Sequence, residues 1–164
     1  MLAHTASVIT ASTRASQGLY EDVSGALLAE GLSKLGFQVQ SRALIPDDRA
    51  LISGEIEKSL ALGIRLIVTT GGTGVSPTDV TPEATAPWIE KLLPGMSEAL
   101  RANSRAQTPL SDLTRGLAGT SGKSLIVNLP GSPGGVRDGL VVIANLAFHI
   151  LSQLNGEDHA ESAG

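Results

Sequence analysis

Leu66-Ile67-Val68 is an unbroken apolar run that passes through two threonines into Gly71-Gly72-Thr73-Gly74. A run apolar at every position has no solvent face, so it reads as a parallel strand covered on both sides. The glycines let the backbone turn sharply and bring its N–H groups close to an anion. Thr81-Pro82-Glu83 then reads as N-cap, N1 and N2 of a helix: a hydroxyl to cap a free N–H, a proline that needs none, and an acid at the positive helix end. The pattern recurs once. Ser124 to Leu129 (SLIVNL) leads into Pro130-Gly131-Ser132-Pro133-Gly134-Gly135 and another helix. If the two strands are parallel neighbours, both turns lie on one edge of the sheet and offer two sets of donors to a polyanion.

Between and around these stretches the chain alternates strands with helices. Thr5 to Ala11 reads as the first strand, followed by the polar loop Ser12 to Gly18. A helix follows from Tyr20, with Val23, Leu27, Leu28, Leu32 and Leu35 on one side, and ends at Gly36. Phe37 to Leu44 begins by alternating, as a strand nearer the sheet edge does. Ile45-Pro46-Asp47-Asp48 breaks that strand, and either Asp47 or Asp48 caps a helix whose apolar face is Leu51, Ile52, Ile56, Leu60 and Leu62, stopped by Gly63. After the central stretch the spacing predicts a helix from Glu83 to Leu93 and another from Met96 to Arg105, with Trp88 in the core or at a subunit contact. Residues 108–122 read as irregular, and Val136 to Leu154 as a last helix; 157–164 read as a disordered tail. The order is β-α-β-α-β-α-α-β-α, without repeat or linker. It predicts one α/β domain over 1–156, three layers deep, around a mostly parallel sheet.

Composition narrows the function. In 164 residues the apolar share is 41% but the aromatic share only 2%, so the core is built from Leu, Ile, Val and Ala. The net charge of −4 argues against a nucleic-acid binder that relies on a basic surface. Without cysteine there is neither a disulfide nor a thiolate metal site. The first residues show no positive leader region, and no stretch reads as the roughly eighteen apolar residues of a membrane span. The expectation is a soluble cytoplasmic protein.

The candidate chemistry lies beside the turns. Asp79 sits in the loop facing the proposed anion, where it is either a turn-forming acid bonded to local N–H groups or a ligand for a divalent cation that bridges it to phosphate. Ser12 and Arg14 belong either to an ordinary connection or to a ligand contact at the carboxyl edge of the first strand. Other patterns fail. Gly122-Lys123-Ser124 lacks the earlier glycine of a P-loop and enters a strand where a P-loop leaves one. His4, His149 and His159 have no metal-ligand spacing. Ser132 lies between two prolines and is not a nucleophile elbow, and no histidine is placed to serve it.

TTGGTGVSPTDVTPEAT resembles the signature of the molybdenum-cofactor biosynthesis family, in its stand-alone molybdopterin adenylyltransferase form (Mog/MoaB type). SLIVNLPGSPGGVRDGL, TASTRASQGLYED, LIPDD and the segment from Thr114-Arg115 to Gly119 resemble further motifs of that family, in family order. The resemblance implies the molybdopterin-binding fold and an enzyme that transfers AMP from Mg·ATP to the terminal phosphate of molybdopterin. Asp47 and Asp79 correspond to the family's two functional acids, with Mg²⁺ as the metal they would hold. Gly71, Gly72, Thr73 and Gly74 correspond to its nucleotide and pterin loop, and Pro130, Gly131 and Ser132 to its second loop. A homotrimer is implied, along with contacts to other proteins of cofactor biosynthesis. Competing readings are a non-catalytic pterin-binding scaffold and a pyrophosphate-cleaving relative. One departure stands out: many members carry Arg before the signature Asp, where this chain has Thr78, so that Arg14 or Arg137 would have to substitute.

Overall fold

The computed structural model describes residues 4–157. The expected tail lies outside the described residues, apart from Glu157. Six strands form one sheet: β1 (Thr5–Ala11), β2 (Gln38–Ile45), β3 (Leu66–Thr70), β4 (Lys91–Leu92), β5 (Ala118–Ser121) and β6 (Ser124–Leu129), in the spatial order β2-β1-β3-β6-β5-β4. β2, β1, β3 and β6 are mutually parallel, while β5 runs antiparallel to β6 and β4 antiparallel to β5. The helices are α1 (Thr13–Ser16), α2 (Val23–Lys34), α3 (Arg49–Ala61), α4 (Thr81–Thr85), α5 (Pro94–Arg105) and α6 (Pro133–Leu154), with short 3₁₀ turns at Ala86–Trp88 and Pro109–Leu113.

Strand periodicity divides the core in two. Ala6 and Val8, Leu66 and Val68, and Leu125, Val127 and Leu129 point to the face covered by α2, α5 and α6. Ile9, Ala11, Ile67 and Ile126 point to the opposite face, packing with Ile52 and Ile56 of α3, Ala84 of α4 and Trp88. Alternate residues on a central strand thus serve different layers, which is why β3 and β6 must be apolar throughout. Fully burying side chains such as Ile67 and Ile126 contributes about 1.5–3 kcal/mol each. The edge strand β2 alternates exposed and half-buried residues, as its sequence indicated.

Several elements differ from the sequence reading. α2 begins at Val23 rather than near Tyr20, because the Asp22 carboxylate accepts from the Gly25 N–H and caps it there. The helix expected from Glu83 to Leu93 ends at Thr85. Pro87 has no N–H to continue the ladder, and the chain turns through 3₁₀ geometry into β4. The segment expected to be irregular contains β5, whose Ala-Gly-Thr-Ser sequence has no strand periodicity; its pairing with β6 makes it a strand. Thr81 is not a helix cap. Val80 holds that position without a side-chain bond, and the Thr81 hydroxyl instead donates to the Gly71 carbonyl, 2.9 Å away. Finally, α6 is long and apolar enough to span a membrane by length and composition alone, contrary to the reading of the sequence. Here it is a core helix: Val136, Val142, Ile143, Ala147 and Leu151 are buried in the protein.

The strand order places the site. After β1 the chain crosses to β2 on one side, then returns to β3 on the other, so connections leave the carboxyl ends of β1 and β3 in opposite directions. Ligands of open α/β sheets bind at such a switch point.

Candidate active site

β3 and β6 are parallel neighbours paired in register, Thr70 opposite Leu129, so the condition set by the sequence pattern is met and both glycine turns leave the sheet side by side. The Gly71 N–H donates to the Leu129 carbonyl at 3.1 Å. The Thr70 hydroxyl donates to the Pro130 carbonyl at 2.8 Å, and the Ser24 hydroxyl of α2 to the Gly131 carbonyl at 2.7 Å. Gly71 and Gly72 have φ of +96° and +68°, in the left-handed region. A Cβ on Gly71 would stand 2.3 Å from the Ala11 carbonyl oxygen, and one on Gly72 2.4 Å from the Thr81 hydroxyl. Only glycine lets this turn pass between β1 and α4.

Two clefts open on this edge. The first, of about 470 Å³, is lined by the end of β1, Ser12, Ala15, residues 20–24, Asp47, Thr70, Gly71, Gly72, Asp79 and Gly131. The second, of about 590 Å³, is lined by Thr73, Gly74, Asp79, Pro130, Gly131 and Ser132, together with Thr108, Leu110, Leu113 and Thr114. Both volumes suit small-molecule ligands. Gly72, Asp79 and Gly131 line both clefts, so the two meet at the glycine turns.

Of the residues singled out in the sequence, Asp47 and Asp79 converge on this junction. Asp48, not Asp47, caps α3, its carboxylate accepting from the Leu51 N–H at 3.0 Å. Asp47 is thereby freed from capping. Its Oδ2 accepts from both the N–H and the hydroxyl of Thr13, at 3.1 and 3.2 Å. Its Oδ1 lies beside Gly72 and accepts no hydrogen bond among the described residues. Asp79 Oδ2 accepts from the Ser76 N–H at 3.0 Å, the local turn bond that the sequence allowed, and the carboxylate stands where a Gly74 Cβ would fall. Ser12 caps α1 through the Ala15 N–H and meets the Tyr20 hydroxyl at 2.9 Å on the wall of the first cleft. Ser132 caps α6 by accepting from the Gly135 N–H. Arg14 and Arg137 are exposed and line neither cleft. Thr78 is occupied within its turn by the Ser76 hydroxyl.

Electrostatically the clefts are one-sided. Glu21, Asp22, Asp47 and Asp79 line the first and Asp79 and Asp138 the second, with no Lys or Arg among the described residues of either wall. Attraction for an anion must come from backbone N–H groups, helix starts and any cation it brings. One guanidinium stands behind the wall, and the sequence reading gave it no role. Arg115 donates from Nε to the Gly74 carbonyl (2.8 Å) and from Nη2 to the Asp79 carbonyl (3.0 Å), and its Nη1 pairs with the Glu83 carboxylate. That hydrogen bond holds the Glu83 carboxyl below its ordinary value, against an opposing push from burial. A residue 41 positions from Gly74 in sequence leaves no local signal of such a contact.

Residues 7–149 match the probable molybdopterin binding domain of the molybdenum-cofactor biosynthesis family. The chain belongs to that family. Its relatives include the molybdopterin adenylyltransferase of Helicobacter pylori, 42% identical over 142 residues that span 83% of this chain and 79% of the relative. The bifunctional molybdenum cofactor biosynthesis protein of Chlorobaculum tepidum is 35% identical over 93% of this chain, which spans only about half (49%) of that relative. Among solved structures, the molybdopterin biosynthesis Mog protein from Mycobacterium ulcerans is 43% identical and superposes with a TM-score of 0.88, covering 93% of this chain and 99% of its own. The family's fold is thus the α/β architecture seen here, and the motifs that carry the resemblance fall on the edge where the two clefts meet.

Proposed function

We propose that the protein is a molybdopterin adenylyltransferase, transferring AMP from ATP to the terminal phosphate of molybdopterin and releasing pyrophosphate. The observation that carries this reading is the pair of clefts meeting at Gly72, Asp79 and Gly131. A transfer between two sizeable substrates needs two compartments with the reacting groups at their junction. An oxygen of the molybdopterin phosphate attacks the α-phosphorus of ATP. The bond from that phosphorus to the bridging oxygen breaks, and pyrophosphate departs with the electron pair.

The attacking oxygen is already an anion, so no strong base is required; the barrier is repulsion between two polyanions. Walls without Lys or Arg make a divalent cation the natural partner. Mg²⁺ takes few protein carboxylates and completes its shell with phosphate and water. Asp47 and Asp79 fit that role, each with an oxygen that accepts no hydrogen bond among the described residues. When bound, Mg²⁺ would neutralise charge on the phosphates and the leaving group. The chain's own contribution is positional. Gly71 and Gly72 let backbone approach the phosphates, the α6 start offers N–H groups, and Asp47 and Asp79 orient the cation.

The test is product formation by the purified protein with molybdopterin and ATP, with and without Mg²⁺. Adenylylated molybdopterin forms only with the metal, and Asp79→Ala abolishes it without changing the circular dichroism. Undiminished turnover in Asp79→Ala sinks the assigned role. Binding of molybdopterin without binding of Mg·ATP makes the protein a pterin-binding scaffold instead. A homotrimer acting in the cytoplasm belongs to the same reading, and light scattering and cell fractionation test it.

A further inference from the structure

Arg115 stands outside both clefts, yet its guanidinium is committed to the loop between them. Nε bonds the Gly74 carbonyl and Nη2 the Asp79 carbonyl, so one planar group ties together the two ends of the 74–79 segment. The Arg115 N–H also donates to the Thr73 carbonyl at 2.8 Å, and the neighbouring Thr114 hydroxyl to that of Thr73 at 3.0 Å. On the far side Nη1 is held by Glu83, whose second carboxylate oxygen is buried without a hydrogen-bond partner among the described residues. Between the tied ends, Val75, Ser76, Pro77 and Thr78 are exposed and contribute nothing to the core. Their conformation rests on the Ser76–Asp79 turn and on this guanidinium.

We infer that Arg115, braced by Glu83, is a positioning residue that buckles the 74–79 loop and so sets where the Asp79 carboxylate meets the metal–nucleotide. The inference rests on the adenylyltransferase reading for its ligand, but the buckle is a property of the free protein. Arginine suits this role because its fork reaches two carbonyls and a carboxylate at fixed angles, whereas an ammonium is a single point donor. The guanidinium also lies behind the loop rather than in the substrate path, so it steadies the acid without competing for phosphate. This chain has Thr78 before the acid and keeps its positive charge behind the wall.

The experiment compares the full-length protein with Arg115→Ala, Arg115→Lys and Glu83→Gln in two measurements: amide hydrogen exchange of the free protein, and calorimetric titration with Mg·ATP. In Arg115→Ala, exchange rises about tenfold or more within residues 74–79 while β1, β3 and β6 keep their protection, and Mg·ATP binding weakens about 10–100-fold. Arg115→Lys falls between Ala and wild type in both, and Glu83→Gln, which leaves the two carbonyl bonds in place, shows the smallest change. Loop exchange equal to wild type in Arg115→Ala overturns the inference. Exchange rising evenly across the sheet overturns it as well, since Arg115 would then hold the fold and not the loop. Should Arg115→Ala fail to fold, Arg115→Lys decides: wild-type loop exchange there overturns the buckle. Wild-type protein that binds no Mg·ATP, but whose loop loosens in Arg115→Ala, defeats the proposed activity and leaves the buckle standing.

Discussion

The two glycine turns look alike in sequence and are built on different principles. The turn after β3 takes two left-handed residues, Gly71 and Gly72, threads them between the Ala11 carbonyl and the Thr81 hydroxyl, and continues into a loop held by Arg115. The turn after β6 has no residue at positive φ and runs at once into the 22-residue α6, capped by Ser132. Distant side chains hold both, since Thr70 and Ser24 bond the Pro130 and Gly131 carbonyls, but only the first departs into left-handed backbone and an irregular loop, while the second passes directly into a helix. The irregular turn carries the acid because a loop can aim a carboxylate between two clefts. The regular turn serves as the opposing wall, with Gly131 lining both clefts.

This contrast predicts a gradient of effects. Gly71→Ala is the most severe, because it adds left-handed strain to a Cβ 2.3 Å from the Ala11 carbonyl oxygen. A loss of about 3 kcal/mol or more is expected in urea unfolding. Gly134→Ala, in the first turn of α6 that follows the other turn, has nothing within 4 Å of its Cβ and should leave stability unchanged or slightly higher. Equal losses at the two positions would remove the distinction. Asp47→Asn comes next. The amide oxygen can still accept from Thr13, so the fold holds, while the Mg²⁺ concentration for half-maximal adenylylation rises about 10–100-fold.

Ser132→Ala tests the regular turn alone, removing the bond to the Gly135 N–H at a cost of about 1 kcal/mol and leaving the Asp79 loop's exchange as it was. The smallest effect concerns Glu83. Its carboxyl is depressed in the folded state by Arg115, so its stabilising contribution is present above the ordinary value of 4.5 and is lost as pH falls through the lower folded value. The partly exposed pair is worth less than about 1 kcal/mol. Melting temperatures of wild type and Glu83→Gln should therefore differ at pH values around neutrality and converge in acid; a constant gap across the range contradicts the linkage.

Much of this molecule was legible in the chain. β3 and β6 came from apolar runs, β1 was read as the opening strand, α2 and α3 came from helical spacing and glycine stops, and the position of both turns from the strand–glycine–helix pattern. What escaped that reading had, for the most part, no local signal. β5 is Ala-Gly-Thr-Ser, four residues that are a strand only because β6 offers them a partner. The helix expected across Pro87 was a misjudgement of a local rule, since proline's missing N–H was already visible. Asp47 and Asp48 could not be separated by type or spacing. The fold does it, by bringing the Thr13 donors up to one and leaving the other on the α3 N-terminus.

The layers, the parallel core and the carboxyl edge with its glycine turns were written into the chain, because burial periodicity and glycine freedom act over a few residues. Which residues work together on that edge is a matter of the assembled sheet. Assembly set Thr81 to lacing the turn rather than capping a helix, left Arg14 outside the clefts, and brought Arg115 from 36 positions beyond Asp79 to hold that loop. Those contacts join strands, loops and helices that meet only when the sheet is complete, so no stretch of chain read alone contains them.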